Sequence, residues 1–296
     1  MHTKKFLFGC FLTAVLAGIG FAVWRTILMI RYYDPYTKEY AWEAKASLQT
    51  YGWILFLALV LIGALTYCFI RIGLRKENVG FGTFTASAYQ STTFTSALLG
   101  FLCLVIAVFL LLYLPLMLVE TTAVYYQYAQ LTAYVLLFFS AAYFLINAAG
   151  SVHLTKAKKV LALAPPLWAV ALLLATYMDP TYLYRDFNHL LCIASVALLM
   201  FFFLYDSAAC ATGKIREAYL PFSLLSIIAS MAYIVPNLIL LAYWELANEM
   251  NFIFEAVEIG ALIYAITVAY QLIRSIRSEI EVEEPYGFTE IEETEN

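Results

Sequence analysis

Tyr33-Asp34-Pro35-Tyr36 follows one long apolar run, and Met178-Asp179-Pro180-Thr181-Tyr182 follows another. Tyrosine, charge and a further apolar run come after each copy, so the two divide the chain into halves that read alike. Asp before Pro is turn chemistry, because proline locks φ and cannot continue a helix. About 20 helical residues cross about 30 Å of hydrocarbon, and the runs on either side of both turns reach that length. The pattern predicts an all-α polytopic transmembrane helix bundle. Eight spans are expected, at roughly 6–29, 53–73, 94–118, 127–148, 160–178, 189–211, 219–243 and 252–273.

Composition points to the same solvent. Of 296 residues, 64% are hydrophobic and only 13% are charged, which would leave a soluble domain with far too much apolar area in water. The five cysteines stand singly inside apolar runs and form no Cys-x-x-Cys pair, so they read as small packing residues. Lys4-Lys5 and the run behind them imitate a signal peptide, but the run continues to Ile30 without an Ala-x-Ala site and is read as a retained first span.

The 17 Lys and Arg residues separate by loop, twelve on the side of both termini and five on the other. By the positive-inside rule this predicts a multi-pass protein of the cell (plasma) membrane with N and C termini cytoplasmic. Trp24, Trp53 and Trp244 fall at the outward ends of their spans, where an amphipathic ring prefers the headgroup region. Residues 38–50 are expected to form a short helix on the outer surface or to extend span 2, and 77–93 to be the least ordered connection. The tail 279–296, with eight glutamates, is expected to be mobile.

The recurrence extends beyond Asp-Pro. Spans 2 and 6 both end in Cys followed by basic residues and Glu, and spans 3 and 7 both carry an outward proline, Pro115 and Pro236, before an acid, Glu120 and Glu245. A 4+4 parallel internal duplication is therefore expected, with 1–150 as the first four-helix half and 151–278 as the second. Any symmetry axis would lie along the membrane normal. Asp34-Pro35-Tyr36-Thr37-Lys38-Glu39-Tyr40 also resembles an Asp-x-x-Thr-Gly-Phe-Tyr pattern in uncharacterised multi-pass membrane proteins of clostridia-like bacteria. Lys38 and Glu39 depart from that pattern, and the resemblance implies no activity.

Ionisable groups in hydrocarbon are costly, so the few present point to function. Glu255 and Glu258 lie one turn apart in span 8, and Glu258 shares a face with Ala261, Ala265 and Ala269, small residues that allow close helix approach. Arg25 in span 1 sits at a comparable depth and is expected to face Glu255 or Glu258. Two readings follow: a cation or substrate site, or a structural bolt with the charges snorkelling outward. Asp34, Asp179 and Glu120 belong to an acidic, tyrosine-rich outer face that would concentrate a small cation or amine. Pro115 and Pro236 free backbone carbonyls and are candidate hinges.

Asp206 is expected to meet Lys214, Arg216 or nearby backbone, Asn147 and Asn237 to bridge helices, and His189 to be a surface histidine. No hydrolase, metalloprotease or phosphate-loop motif is present, so no catalytic residue, cofactor or metal is expected. Basic residues spread over several loops suit topology and anionic lipid, not nucleic acid. The leading expectation is a small-solute or ion permease in a lipid bilayer. The alternative is a sensor or assembly subunit that scaffolds a partner and presents tail 279–296 to a cytoplasmic protein.

Overall fold

The computed structural model describes residues 2–34, 39–77, 79–81, 86–120, 124–149, 156–178, 187–212, 215–244 and 251–278. Asp179, residues 35–38 and the tail 279–296 lie outside the described residues. Within them the helices are α1 (His2–Tyr32), α2 (Lys45–Phe69), α3 (Arg75–Glu77), α4 (Ala86–Glu120), α5 (Val124–Ala148), α6 (Lys156–Leu161), α7 (Ala164–Met178), α8 (Phe187–Thr212), α9 (Tyr219–Trp244) and α10 (Asn251–Arg274). Eight segments are long and apolar enough to cross a membrane: α1, α2, α4, α5, α6 with α7, α8, α9 and α10. The protein is an all-α polytopic bundle. In hydrocarbon each backbone N–H and C=O must find a partner inside the chain, and an uninterrupted helix supplies one.

The helices pack as a ring with two additions. Extensive interfaces run from α4 to α5, α5 to α7, α7 to α8, α8 to α9, α9 to α10, and from α10 back to α4. The ring is filled with side chains. Phe144 of α5 lies 5.4 Å from Tyr264 of α10 and 5.9 Å from Phe203 of α8, while Trp168 of α7 packs on Phe203 at 6.3 Å. Outside the ring, α1 lies along α9 and touches α10, and α2 lies against α1 and α9. Burial follows from this placement, since 67% of the apolar window of α9 is buried against 17% for α2.

Glycine sets two of the closest approaches. A Cβ on Gly100 of α4 would stand 3.0 Å from the backbone nitrogen of Leu145 in α5, and one on Gly260 of α10 would meet Leu99 and Leu102 of α4 at 3.0 Å. Ala261, Ala265 and Ala269 are fully buried, as the small-residue stripe requires.

Several expectations are revised. Within 38–50, the part from Trp42 extends span 2 as expected, a 3-10 turn Trp42–Ala44 running straight into α2 at Lys45, whereas Glu39–Tyr40 instead pairs antiparallel with Tyr33–Asp34. The 77–93 connection contains a strand, Val79–Phe81, that pairs antiparallel with Ile276–Ser278 after α10. Buried Ile276 anchors that pairing, which joins sequence-distant segments and so leaves no local pattern. Helix neighbours also differ between the halves, because α8 and α9 share an extensive interface while their counterparts α2 and α4 do not. The 4+4 duplication accordingly rests on sequence recurrence.

Candidate functional site: a buried Arg, Asn and Glu network

The ends of α1 and α9 and the starts of α8 and α10 meet at the end of the bundle opposite the termini. Arg25, about 10 Å in from the end of α1 at 1.5 Å per residue, is 0% exposed. Its Nη1 donates to the carbonyls of Ala232 at 3.1 Å and Tyr233 at 2.6 Å. Its Nη2 donates to Asn188 Oδ1 and to Asn237 Oδ1, both at 2.9 Å. The guanidinium also stands 5.4 Å from the Tyr233 ring centroid, within cation-π reach.

These acceptors have a local cause. Pro236 lies inside α9 and has no N–H, so the carbonyl four residues back, Ala232, loses its intrahelical partner. Arg25 supplies the missing donor. The proline frees an acceptor in α9, and the arginine of α1 closes it, which ties the peripheral helix to one of the two most buried spans. The turn that Pro236 leaves short of a donor is therefore closed by a charged clasp.

Asn237 carries the network onward. Its Nδ2 donates to Glu255 Oε1 at 2.7 Å, so Arg25 reaches Glu255 through one amide side chain. On the other flank the Tyr40 hydroxyl donates to Asn188 Oδ1 at 3.0 Å. Glu258, one turn further along α10, is 3% exposed, and its Oε2 has no hydrogen-bond partner. Two buried carboxyl groups thus stand one turn apart on α10, the first of them joined to the guanidinium through Asn237.

Sequence reasoning brought Arg25, Glu255 and Glu258 together, and the fold places them in one region. The expected facing of Arg25 and Glu255 is relayed by Asn237 rather than made between neighbours. Pro236 belongs to the same network. Asp34 does not: it is exposed, in the strand paired with Glu39–Tyr40. Glu120 ends α4 and Pro115 lies within it, and the side chains of both fall outside the described residues. Asn188 and Tyr40 had no sequence signal as partners of Arg25, because a polar residue at a span's start reads as interfacial.

Two other expectations are corrected. His189 is not a surface residue but 4% exposed, on a helix packed between α7 and α9. Lys214 lies outside the described residues, and the partners seen for Asp206 of α8 are hydroxyls rather than Arg216. Asp206 accepts hydrogen bonds from the hydroxyls of Tyr143 of α5 at 3.1 Å, Tyr219 of α9, and Tyr264 of α10 at 3.2 Å. The tyrosines reach it first because all three project into the filled ring. No cluster of three or more metal-ligating side chains occurs among the described residues.

No family model, curated protein or solved structure matches this chain. The functional reading rests on the geometry.

Proposed function

We propose that this integral membrane protein moves a small monovalent cation, a proton or a compact amine, with Glu258 as the binding carboxyl and Glu255 beside it. The observation that carries the reading is Glu258 Oε2, buried in the bundle with no hydrogen-bond partner. An unsatisfied buried acceptor is costly, and a cation arriving from the end opposite the termini would relieve that cost. Arg25 directs its four hydrogen bonds to carbonyl and amide oxygens, which leaves the second carboxyl of the pair as the acceptor for a transported charge. The acidic residues Asp34, Asp179 and Glu120 on that side would raise the local cation concentration. The plasma membrane, with both termini cytoplasmic, is the setting that the charge distribution supports.

Purified protein reconstituted in vesicles, with proton, sodium and ethylammonium gradients imposed in turn, tests this reading. Flux of one cation is expected, falling at least about ten-fold in Glu258→Gln. Equal flux in vesicles containing Glu258→Gln, or none above protein-free vesicles for the unaltered chain, overturns it.

A second reading, an assembly subunit or sensor that scaffolds a partner, is favoured by the clasp itself. Arg25 on the carbonyl freed by Pro236 is what a structural bolt does. An absence of flux together with loss of a co-purifying protein on deletion of 279–296 would select that reading.

A further inference from the structure

At the opposite end of the bundle, the start of α1 and the finish of α10 enclose a cleft of about 480 Å³ lined by Lys4, Lys5, Phe8, Tyr270, Ile273 and Arg274. That volume falls in the range of sites that hold a small molecule. Lys4 Nζ donates to the Arg274 carbonyl at 3.0 Å and fixes the two helix ends against each other. Lys5 and the Arg274 guanidinium are exposed beside it. Deeper along the spans, Phe8 is 46% exposed and Tyr270 41% exposed, on surfaces that face hydrocarbon in a bilayer. The Tyr270 ring is backed by Phe11 at 6.4 Å.

We propose that this cleft binds one anionic phospholipid, its phosphate on Lys5 and Arg274 and its acyl chain along Phe8 and Tyr270. Charge complementarity selects the headgroup, since three cations and no acid line the cleft. The depth profile selects a lipid over a soluble anion: cations stand at the helix ends, and uncovered aromatic surface begins about one turn further in. A topology signal alone needs basic residues at this interface but needs no recess between two spans. The site lies at the far end of the bundle from Glu258, so it stands or falls independently of cation movement.

Native mass spectrometry of the delipidated full chain in neutral detergent tests it, titrating dioleoylphosphatidylglycerol, dioleoylphosphatidylcholine and inorganic phosphate. One phosphatidylglycerol adduct is expected to survive activation that strips phosphatidylcholine. Lys5→Gln with Arg274→Gln is expected to lower its occupancy at least about ten-fold, at about five-fold per cation removed. Arg71→Gln with Lys76→Gln removes the same charge from the segment after α2 and from α3 and is expected to retain the adduct. Fluorescence of Phe8→Trp, quenched by phosphatidylglycerol with brominated acyl chains but not by the brominated phosphatidylcholine, reports the chain's position without altering any cation.

Equal retention of both lipids overturns the proposal, as does equal loss in the two double variants. Displacement of the lipid by inorganic phosphate at comparable concentration would make the cleft a site for free phosphate. A large gain in lipid occupancy on deleting 279–296 would make the acidic tail its occupant.

Discussion

Arg25 and Pro236 define one interaction between two residues far apart in sequence, and its energetics can be isolated. Removing the guanidinium leaves the Ala232 carbonyl, already deprived of its intrahelical donor by Pro236, without a partner in an apolar setting. Arg25→Leu is expected to destabilise the protein by about 3 kcal/mol, in the range for breaking a buried charged contact. Pro236→Ala restores the intrahelical donor, so the same arginine substitution in that background is expected to cost about 1 kcal/mol less. Thermal or denaturant unfolding of the four proteins in one detergent gives the coupling directly, and additive effects would show that the two residues act separately. The position of the proline alone identified which carbonyl is freed. Its donor was not legible, because a charge in span 1 has no local relation to a proline in span 7.

Helix contacts raise a different question, that of how closely two spans can approach. Gly100 places α4 against the backbone of α5, where an added Cβ would stand 3.0 Å from Leu145 N, and backbone cannot swing aside as a side-chain tip can. Gly100→Val is therefore expected to cost about 1–3 kcal/mol and to loosen the ring at this interface. Gly9 of α1 has nothing within 4 Å of its added Cβ, so Gly9→Ala is expected to be neutral or stabilising by about 0.5–1 kcal/mol through helix propensity. Unfolding midpoints of the two variants measured side by side check the contrast. Span positions were readable from runs of apolar residues, whereas the identity of neighbouring spans was not. Nothing in the order of segments says that α10 closes on α4, or that α1 and α2 lie outside the ring.

The described residues hold an even number of candidate spans, and the surplus of Lys and Arg on the side of both termini makes the cytoplasm the side to test for them. Fusions of a fluorescent protein at residue 296 are expected to fluoresce and fusions of a periplasm-dependent phosphatase there to be inactive, with the reverse at 183, between α7 and α8. Class, span positions and the presence of Arg25, Asp206, Glu255 and Glu258 within spans were determined by the sequence itself, because hydrocarbon demands long apolar helices and makes each ionisable residue conspicuous. Tertiary structure alone decided the partners. Asn188 completes the Arg25 network, three tyrosines rather than a basic loop surround Asp206, and a strand after the last span pairs with one from the second connection. Each of these joins segments distant in the chain, and such a contact is set by how helices pack, which the sequence of any one helix does not encode.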